Sequence, residues 1–403
     1  MAITDVRSWD LDNPTQIYLQ EQDSLIREVK DFGANLIVPI GGVVWKVWGS
    51  SRSFFLYHSC PGTTPMYFLH VGRAIHFSQS HLAIRAKAVE LGQKMKDIVQ
   101  AKEGVAYHLS SKGLKRYVVD QIKPTYLPKV TLAQAGPKLL EMLVHAAGFY
   151  KGQKVCTPIS GGTDGILTAL ALKLAGVEQV CVCVGRTEDD FDPKYARQYA
   201  EQLGLDYTFL PLPEGDEELT SLLEAALKNI EMTDFSNVLM GMCSTMIAAW
   251  AKSKGCAAVI TADIADVALG QDLLSWGSFN KHHPNGNSPA WSDFRLKGGL
   301  RTLPNNLMVF KCFNFAGIRT GQLFLDRDVL EFLLSLSLEV TPANGKKPIY
   351  YEALKPYITG GSWEESGRKV GFYTGSSIGK IRLENPVLQD AAIKAAYARV
   401  TKE

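Results

Sequence analysis

No apolar run in this sequence approaches the ~18 residues that a membrane-crossing helix needs. The longest candidate, Val238 to Ala251, is interrupted by Ser244 and Thr245 and ends at Lys252, which reads as a core helix. The opening MAITDVRSWDLD is acidic where a secretion signal is basic, and no apolar segment follows it. Charge of one sign is lacking too: 43 Lys and Arg face 41 Asp and Glu, a net +2, so nothing in the overall balance bids for nucleic acid or a membrane surface. The seven cysteines form no CxxC pair, and Cys181 and Cys183 alternate inside an apolar run as strand residues do. That pattern fits reduced, buried thiols in a cytoplasmic protein. Repeats and low-complexity tracts are absent, and 46% hydrophobic with 21% charged residues is ordinary globular usage. Disordered, collagen-like and fibrous classes are thereby excluded. The 403 residues are enough for two or three domains, each with its own core.

What is present changes character along the chain. The first 80 residues carry short apolar and aromatic runs: Val43–Val47 and Phe54–Tyr57 around GSSRS, then Met66–Val71 and Ala74–Phe77 around a Gly-Arg pair. These predict antiparallel hairpins. From Leu82 to Gln100 the apolar spacing turns helical. Residues 84–129 hold ten Lys or Arg against four Asp or Glu, a solvated face or a surface for phosphate or RNA. A Pro-flanked segment, Lys123 to Lys129, marks a boundary, giving domains at 1–127 and 128–403, and a helix is expected from Thr131 to Ala147. Beyond it, apolar strands (Val155–Ile159, Gln179–Val184, Tyr207–Leu210, Ala257–Thr261) alternate with helices (Ile166–Ala175, Asp192–Leu203, Met240–Ser253). Such βαβ alternation implies an α/β domain built on a parallel, doubly wound sheet. Trp276 to Pro304 reads as a long polar loop, and the remainder as mostly helical.

The chemistry concentrates in Ser160-Gly161-Gly162-Thr163-Asp164-Gly165, between a strand and a helix. Glycines there let backbone N–H groups approach phosphate oxygens, and the following helix adds its positive dipole end. Ser160 can donate a hydroxyl. Asp164 would repel bare phosphate and makes sense beside a magnesium ion. The string is neither a Walker A loop nor the GxGxxG dinucleotide fingerprint. His282 and His283 lack further ligands at metal-binding spacing.

The string resembles the PP-loop of ATP pyrophosphatases, and further matches narrow the resemblance to the asparagine synthetase and β-lactam synthetase-like ligases. Those enzymes carry Ser-Gly-Gly-Leu-Asp-Ser; this chain keeps Ser160, Gly161, Gly162 and Asp164 and has Gly165 for the last Ser. Their second motif, Ser/Thr-Gly-x-Gly-Ala-Asp, is similar to Thr261–Asp266, with Ala262 and Ile264 in place of its glycines. Gly317–Asp326 resembles the family's Glu-x-Arg-x-Pro-Phe-Leu-Asp helix start, and Arg368–Phe372 its late Arg-x-Lys-x-Gly-Phe element. Leu56–Phe68 and Ile75–Ser78 resemble the strands of its N-terminal-nucleophile glutaminase domain. Met1 and Ala2 stand where that activity needs a terminal cysteine.

The resemblance implies an adenine nucleotide α-hydrolase-like fold with a helical C-terminal part, preceded by a small α+β domain like a truncated glutaminase. It implies an AMP-forming carbon–nitrogen ligase without glutaminase activity of its own, using ATP and Mg2+ on a small-molecule carboxylate and an amine or ammonia. A separate glutaminase is a candidate ammonia source, and a homo-oligomer a candidate assembly. Asp164 and Asp266 would hold magnesium. Ser160, Gly161, Gly162, Gly165, Thr261 and Ala262 would line the nucleotide, with Ile159 and Val184 beside adenine. Lys369 would stabilise phosphate charge, and Asp263 would handle the amine. Two other readings stay open: an ATP pyrophosphatase acting on a nucleobase or tRNA, and a non-catalytic nucleotide-binding protein.

Overall fold

The computed structural model describes residues 7–10, 17–20, 26–29, 36–39, 45–49, 53–58, 66–102, 104–110, 112–118, 121–270, 273–296, 312–313, 315–342, 344, 346–362 and 375–401. It divides into two compact units, residues 1–122 and 123–403.

The first unit is built from antiparallel strands: β1 (Arg7–Asp10), β2 (Ile17–Gln20), β3 (Ile26–Val29), β4 (Leu36–Pro39), β5 (Trp45–Gly49), β6 (Ser53–His58), β7 (Tyr67–Val71), β8 (Ala74–Ser78), β9 (Ile98–Gln100), β10 (Val105–Ser110) and β11 (Gly113–Val118). They form sheets in the orders β1-β8-β7-β9, β11-β10-β6-β5-β2 and β3-β4. Both expected hairpins are present, as β5–β6 and β7–β8. Period-two alternation explains the core. Phe68, Ile75 and Phe77 of one sheet meet Phe54, Leu56, Tyr107 and Leu109 of the other. Leu69, on the opposite face of β7, packs on Ile84 and Ala88 of helix α1 (His81–Glu90).

The helix expected to reach Gln100 stops at Glu90, about two and a half turns into that span. Gly92 sits at φ +65°, a conformation glycine adopts without cost, and a 3₁₀ turn then leads into β9. Of the basic side chains in this region, Arg85, Lys94, Lys96, Lys102, Lys112, Lys115 and Arg116 are exposed, as both a solvated face and a phosphate-binding surface require.

The second unit opens with α2 (Leu132–Ala147), where a helix is expected; Gln134 accepts from the Thr131 backbone N–H at 3.0 Å. Then follow β12 (Lys154–Pro158), α3 (Thr163–Leu174), β13 (Glu178–Gly185), α4 (Phe191–Leu203), β14 (Tyr207–Pro211), α5 (Asp216–Ile230), α6 (Phe235–Ser253) and β15 (Ala258–Thr261). Short helices α7 (Ile264–Leu269), α8 (Leu273–His282) and α9 (Ser288–Phe294) lead towards β16 (Arg319–Gln322), α10 (Arg327–Ser335) and α11 (Pro348–Leu354). The strands make one parallel sheet in the order β14-β13-β12-β15-β16. Cys156, Val182, Val184 and Val259 pack with Leu223, Leu227, Val238 and Met242 of α5 and α6. The adjoining strand residues Val155 and Cys181 are also buried, as a sheet covered on both faces requires.

Three expectations need correction. The segment 317–326 is not a helix start: Arg319–Gln322 is the fifth strand, pairing among the described residues with β15, and the helix begins only after Asp326 caps the N–H groups of Asp328 and Val329. A polar strand with one neighbour leaves little hydrophobic periodicity to read. Much of 276–304 is helical rather than loop, because Asn287 caps α9 by accepting from Ala290 and a proline opens its first turn. Finally, α5 has a clear amphipathic face (Leu219, Leu223, Ala226, Leu227, Ile230) that the strand-and-helix count passed over.

Candidate active site at the carboxyl ends of the parallel strands

From β12 the chain winds outward through β13 to β14; β15 and β16 then lie on the other side of β12. The order reverses between β12 and β15. In open α/β sheets ligands bind in the crevice at such a switch point. Asp164, in the first turn after β12, and Asp266, in the first turn after β15, belong to the two segments that bound it.

The glycine-rich loop is held from several sides. Gly161 donates its N–H to Asp192 Oδ1 at 3.1 Å, and Gly162 donates to Ser160 Oγ at 3.1 Å. Ser362 Oγ donates to the Gly161 carbonyl at 2.5 Å, and its own N–H donates to Tyr199 Oη at 2.7 Å. Gly165 is fixed by space: a Cβ there would stand 2.9 Å from the Pro158 carbonyl oxygen and 3.3 Å from Ile159 Cα. Both are backbone atoms of the strand end, so the Gly that departs from the family's Ser is a requirement of this packing. Ile159 and Val184 are buried, as core residues are.

The other bank is organised by Gln322 at the end of β16. Its Nε2 donates to Thr261 Oγ1 at 2.9 Å and to Asp263 Oδ2 at 3.4 Å, while its Oε1 accepts the Ile264 N–H at 3.2 Å. Thr261 is buried and Ala262 half-buried. Burial is the main force raising the Asp263 carboxyl to about 6; a hydrogen bond from Thr261 opposes it, and the charges of Asp266 and Asp164 add to it.

Between the banks stands Lys347, just before α11. Its Nζ donates to Asp164 Oδ2 at 2.5 Å and forms an ion pair with Asp266 Oδ1. The Lys347 side chain is 5% exposed. Burial alone would lower its pKa, but the two carboxylates raise it, so it stays an ammonium. Asp164 Oδ1 also accepts from Thr163 Oγ1 at 3.2 Å. Tyr350, one turn into α11, places its ring 5.8 Å from Nζ and donates its hydroxyl to the Ala265 carbonyl at 3.0 Å.

The fold therefore brings Asp164, Asp263 and Asp266 together from segments some hundred residues apart, and adds Lys347. A magnesium ion between Asp164 and Asp266 does not fit this arrangement. Magnesium demands near-octahedral oxygen ligands at ~2.0–2.1 Å. Asp164 Oδ2 and Asp266 Oδ1 both meet the Lys347 ammonium. Among the described residues, no group of three or more His, Cys, Asp or Glu is placed to hold a metal ion. His283 instead stacks on Phe279 with ring centroids 5.1 Å apart. Lys369, with the whole Arg368–Phe372 element, lies outside the described residues.

Sequence reasoning missed Lys347, Gln322 and Asp192. Lys347 lies between a Gly-Lys pair and a proline, with no motif around it; the Lys-Pro step that opens a helix was its one local signal. Asp192 was legible only as part of the Asp-Pro start of α4.

No family model matches the chain, and no curated protein matches it. Among solved structures it is similar to the U34-tRNA thiolase NcsA from Methanococcus maripaludis with its [4Fe-4S] cluster, at 11% identity over 68% of this chain and 80% of that one, TM-score 0.30. It is similar to NMN synthetase from Francisella tularensis, at 13% identity over 63% and 93%, TM-score 0.26. It is also similar to glutamine phosphoribosylpyrophosphate amidotransferase from B. subtilis, complexed with ADP and GMP, at 9% identity over 44% and 58%, TM-score 0.18. At these scores the likeness assigns neither a fold nor an activity. No helix among the described residues is long and apolar enough to cross a membrane.

Proposed function

We propose that this chain is an ATP-dependent amide-forming ligase that adenylates a small-molecule carboxylate and passes the acyl group to an amine or ammonia. The observation that supports it is the meeting of a Gly-rich anion cradle (Ser160 to Gly165) with Asp263 and the Asp164–Lys347–Asp266 cluster at the sheet's switch point. In the first step a carboxylate oxygen attacks the α-phosphorus of ATP, the bond to the bridging oxygen breaks, and pyrophosphate leaves. The start of α3 turns its positive dipole end to the phosphate charge, beside a loop whose Gly161 and Gly162 N–H groups are held by Asp192 and Ser160. In the second step the amine nitrogen attacks the acyl carbon, AMP leaves, and the amine proton passes to Asp263. A carboxyl raised to about 6 suits that task near neutral pH better than an ordinary one. Magnesium accompanies ATP as part of the substrate. Lys369 is assigned to the leaving pyrophosphate on the family resemblance alone.

Exchange of labelled pyrophosphate into ATP with candidate carboxylates tests the reading. Carboxylate-dependent exchange with AMP as product supports it. ADP as the stoichiometric product sinks it. Exchange that needs RNA instead would favour a tRNA-directed ATP pyrophosphatase. Asp263→Ala is expected to keep exchange and slow amide formation by about 10²–10⁴-fold; equal loss of both steps removes Asp263 from the amine.

A further inference from the structure

Two carboxylates at a nucleotide cradle would ordinarily collect a divalent cation; this pair already faces a monovalent one, the Lys347 ammonium, covalently part of the chain. We propose that Lys347 is the resident cation of the pocket: it pins Asp164 to Asp266 and keeps divalent metal from binding that pair in the nucleotide-free protein. The argument is geometric. Asp164 is carried by α3, Asp266 by α7 and Lys347 by the start of α11, so a single ammonium ties three segments that flank the switch point. Nζ reaches both carboxylates. Its stem is buried, and α11 packs on α2 and α3, so the side chain has little freedom to swing out. Asp164 and Asp266 are 17% and 21% exposed, close enough to solvent to meet an incoming ion, so the ammonium rather than burial is what bars metal. Proline at position 348 starts α11 immediately after Lys347 and restricts the backbone that carries the side chain.

The consequence is a site whose charge is preset. Asp164 and Asp266 stay paired to the ammonium, and any magnesium arrives on the phosphates of a nucleotide. Lys347 acts through the two carboxylates and is a positioning residue. The inference rests on the placement of these three side chains and not on the ligase reading.

Mn2+ alone is the probe, titrated into the full chain without nucleotide and followed by electron paramagnetic resonance of the free ion. The wild-type chain is expected to bind Mn2+ no better than the Asp164→Asn/Asp266→Asn variant. Lys347→Met is expected to gain one Mn2+ site, on the order of tenfold tighter or more, since removing one opposing charge at a partly buried site is worth over 1 kcal/mol. Adding Asp164→Asn to Lys347→Met should abolish that site. A stoichiometric Mn2+ site in the wild type that the double Asn variant lacks overturns the proposal, and this arm stands even if Lys347→Met does not fold. A folded Lys347→Met chain that binds Mn2+ no better than the wild type overturns it as well.

Discussion

Among the described residues of the second unit two cations are buried, and they are held in opposite ways. Lys347 faces carboxylates, and those charges raise its pKa. Arg295, 1% exposed, faces backbone: its guanidinium donates to the carbonyls of Ala268, Leu333, Leu334 and Leu336 at 2.9–3.2 Å and lies 5.3 Å from the Trp291 ring. Among the described residues no carboxylate offsets its burial, which pushes its pKa down, with Tyr350 opposing. Those carbonyls belong to the ends of α7 and α10, where helices leave oxygens without intrahelical partners. Arg295 is thus a cap shared by two helices. Its planar fork suits several fixed acceptors, whereas the compact ammonium of lysine suits a point between two charges. One cation closes off structure; the other leaves a pocket with three carboxylates against a single ammonium.

If this contrast is right, the two residues fail differently. Arg295→Met should cost the most, about 4 kcal/mol or more, because several buried carbonyls lose their donor at once. Carbonyls do not titrate, so urea denaturation should show the same loss at pH 5 and pH 8. Lys347→Met should cost about 3 kcal/mol at pH 8, where Asp164 and Asp266 are left as unpaired like charges. One of that pair then takes up a proton more readily than an unfolded Asp does, so the cost should shrink towards pH 5. Adding Asp164→Asn should recover part of the loss. Equal pH dependence of the two variants would erase the distinction.

The same contrast explains what the sequence discloses. Strands β12 to β15 were legible because burial on both faces leaves continuous apolar runs such as Val180–Val184. The loop at 160–165 was legible because glycines and acids at a strand-to-helix turn have few other uses. Asp164, Asp263 and Asp266 could be named from the sequence, and the fold does bring them together. Partners chosen by tertiary packing left no pattern: β16 is polar and short, Gln322 ends it, and Lys347 sits in a run of small and charged residues. Periodicity reports which face is buried; it carries no information on which distant side chain a buried carboxylate will meet.

Asp192 sharpens the comparison from the acidic side, since it is buried with no cation beside it among the described residues. Burial raises its carboxyl to about 7; the Gly161 N–H pulls the other way and Asp190 adds to the rise. An unfolded Asp titrates near ~3.9. Between those values the folded chain keeps a proton that the unfolded chain has released. Stability therefore falls as pH rises through that window, by about 1.4 kcal/mol per pH unit at most, and levels off above it. Asp192→Asn keeps an oxygen for Gly161 and should remove this share of the slope, so the variant gains on the wild type between pH 5 and pH 8. Asp263 contributes a similar slope to both proteins and cancels in the difference. Parallel stability curves for the two chains would show that Asp192 does not titrate in this range.

The smallest effect concerns Gly165, where resemblance and packing disagree. The family pattern places Ser there and implies that Gly165→Ser is harmless. The packing implies a loss of about 1–3 kcal/mol, because the new Cβ would press on the Pro158 carbonyl and Ile159 Cα, and backbone of a central strand yields little. Gly165→Ala separates the causes, since it adds the same Cβ without a hydroxyl. Sterics alone predict matching losses for Ala and Ser in thermal or urea denaturation. A Ser variant that is clearly more stable than Ala would mean that the hydroxyl finds a hydrogen-bond partner in the loop, as the family's Ser would. Neither variant losing stability would mean that β12 can shift, and that the glycine answers some need of the cradle other than space.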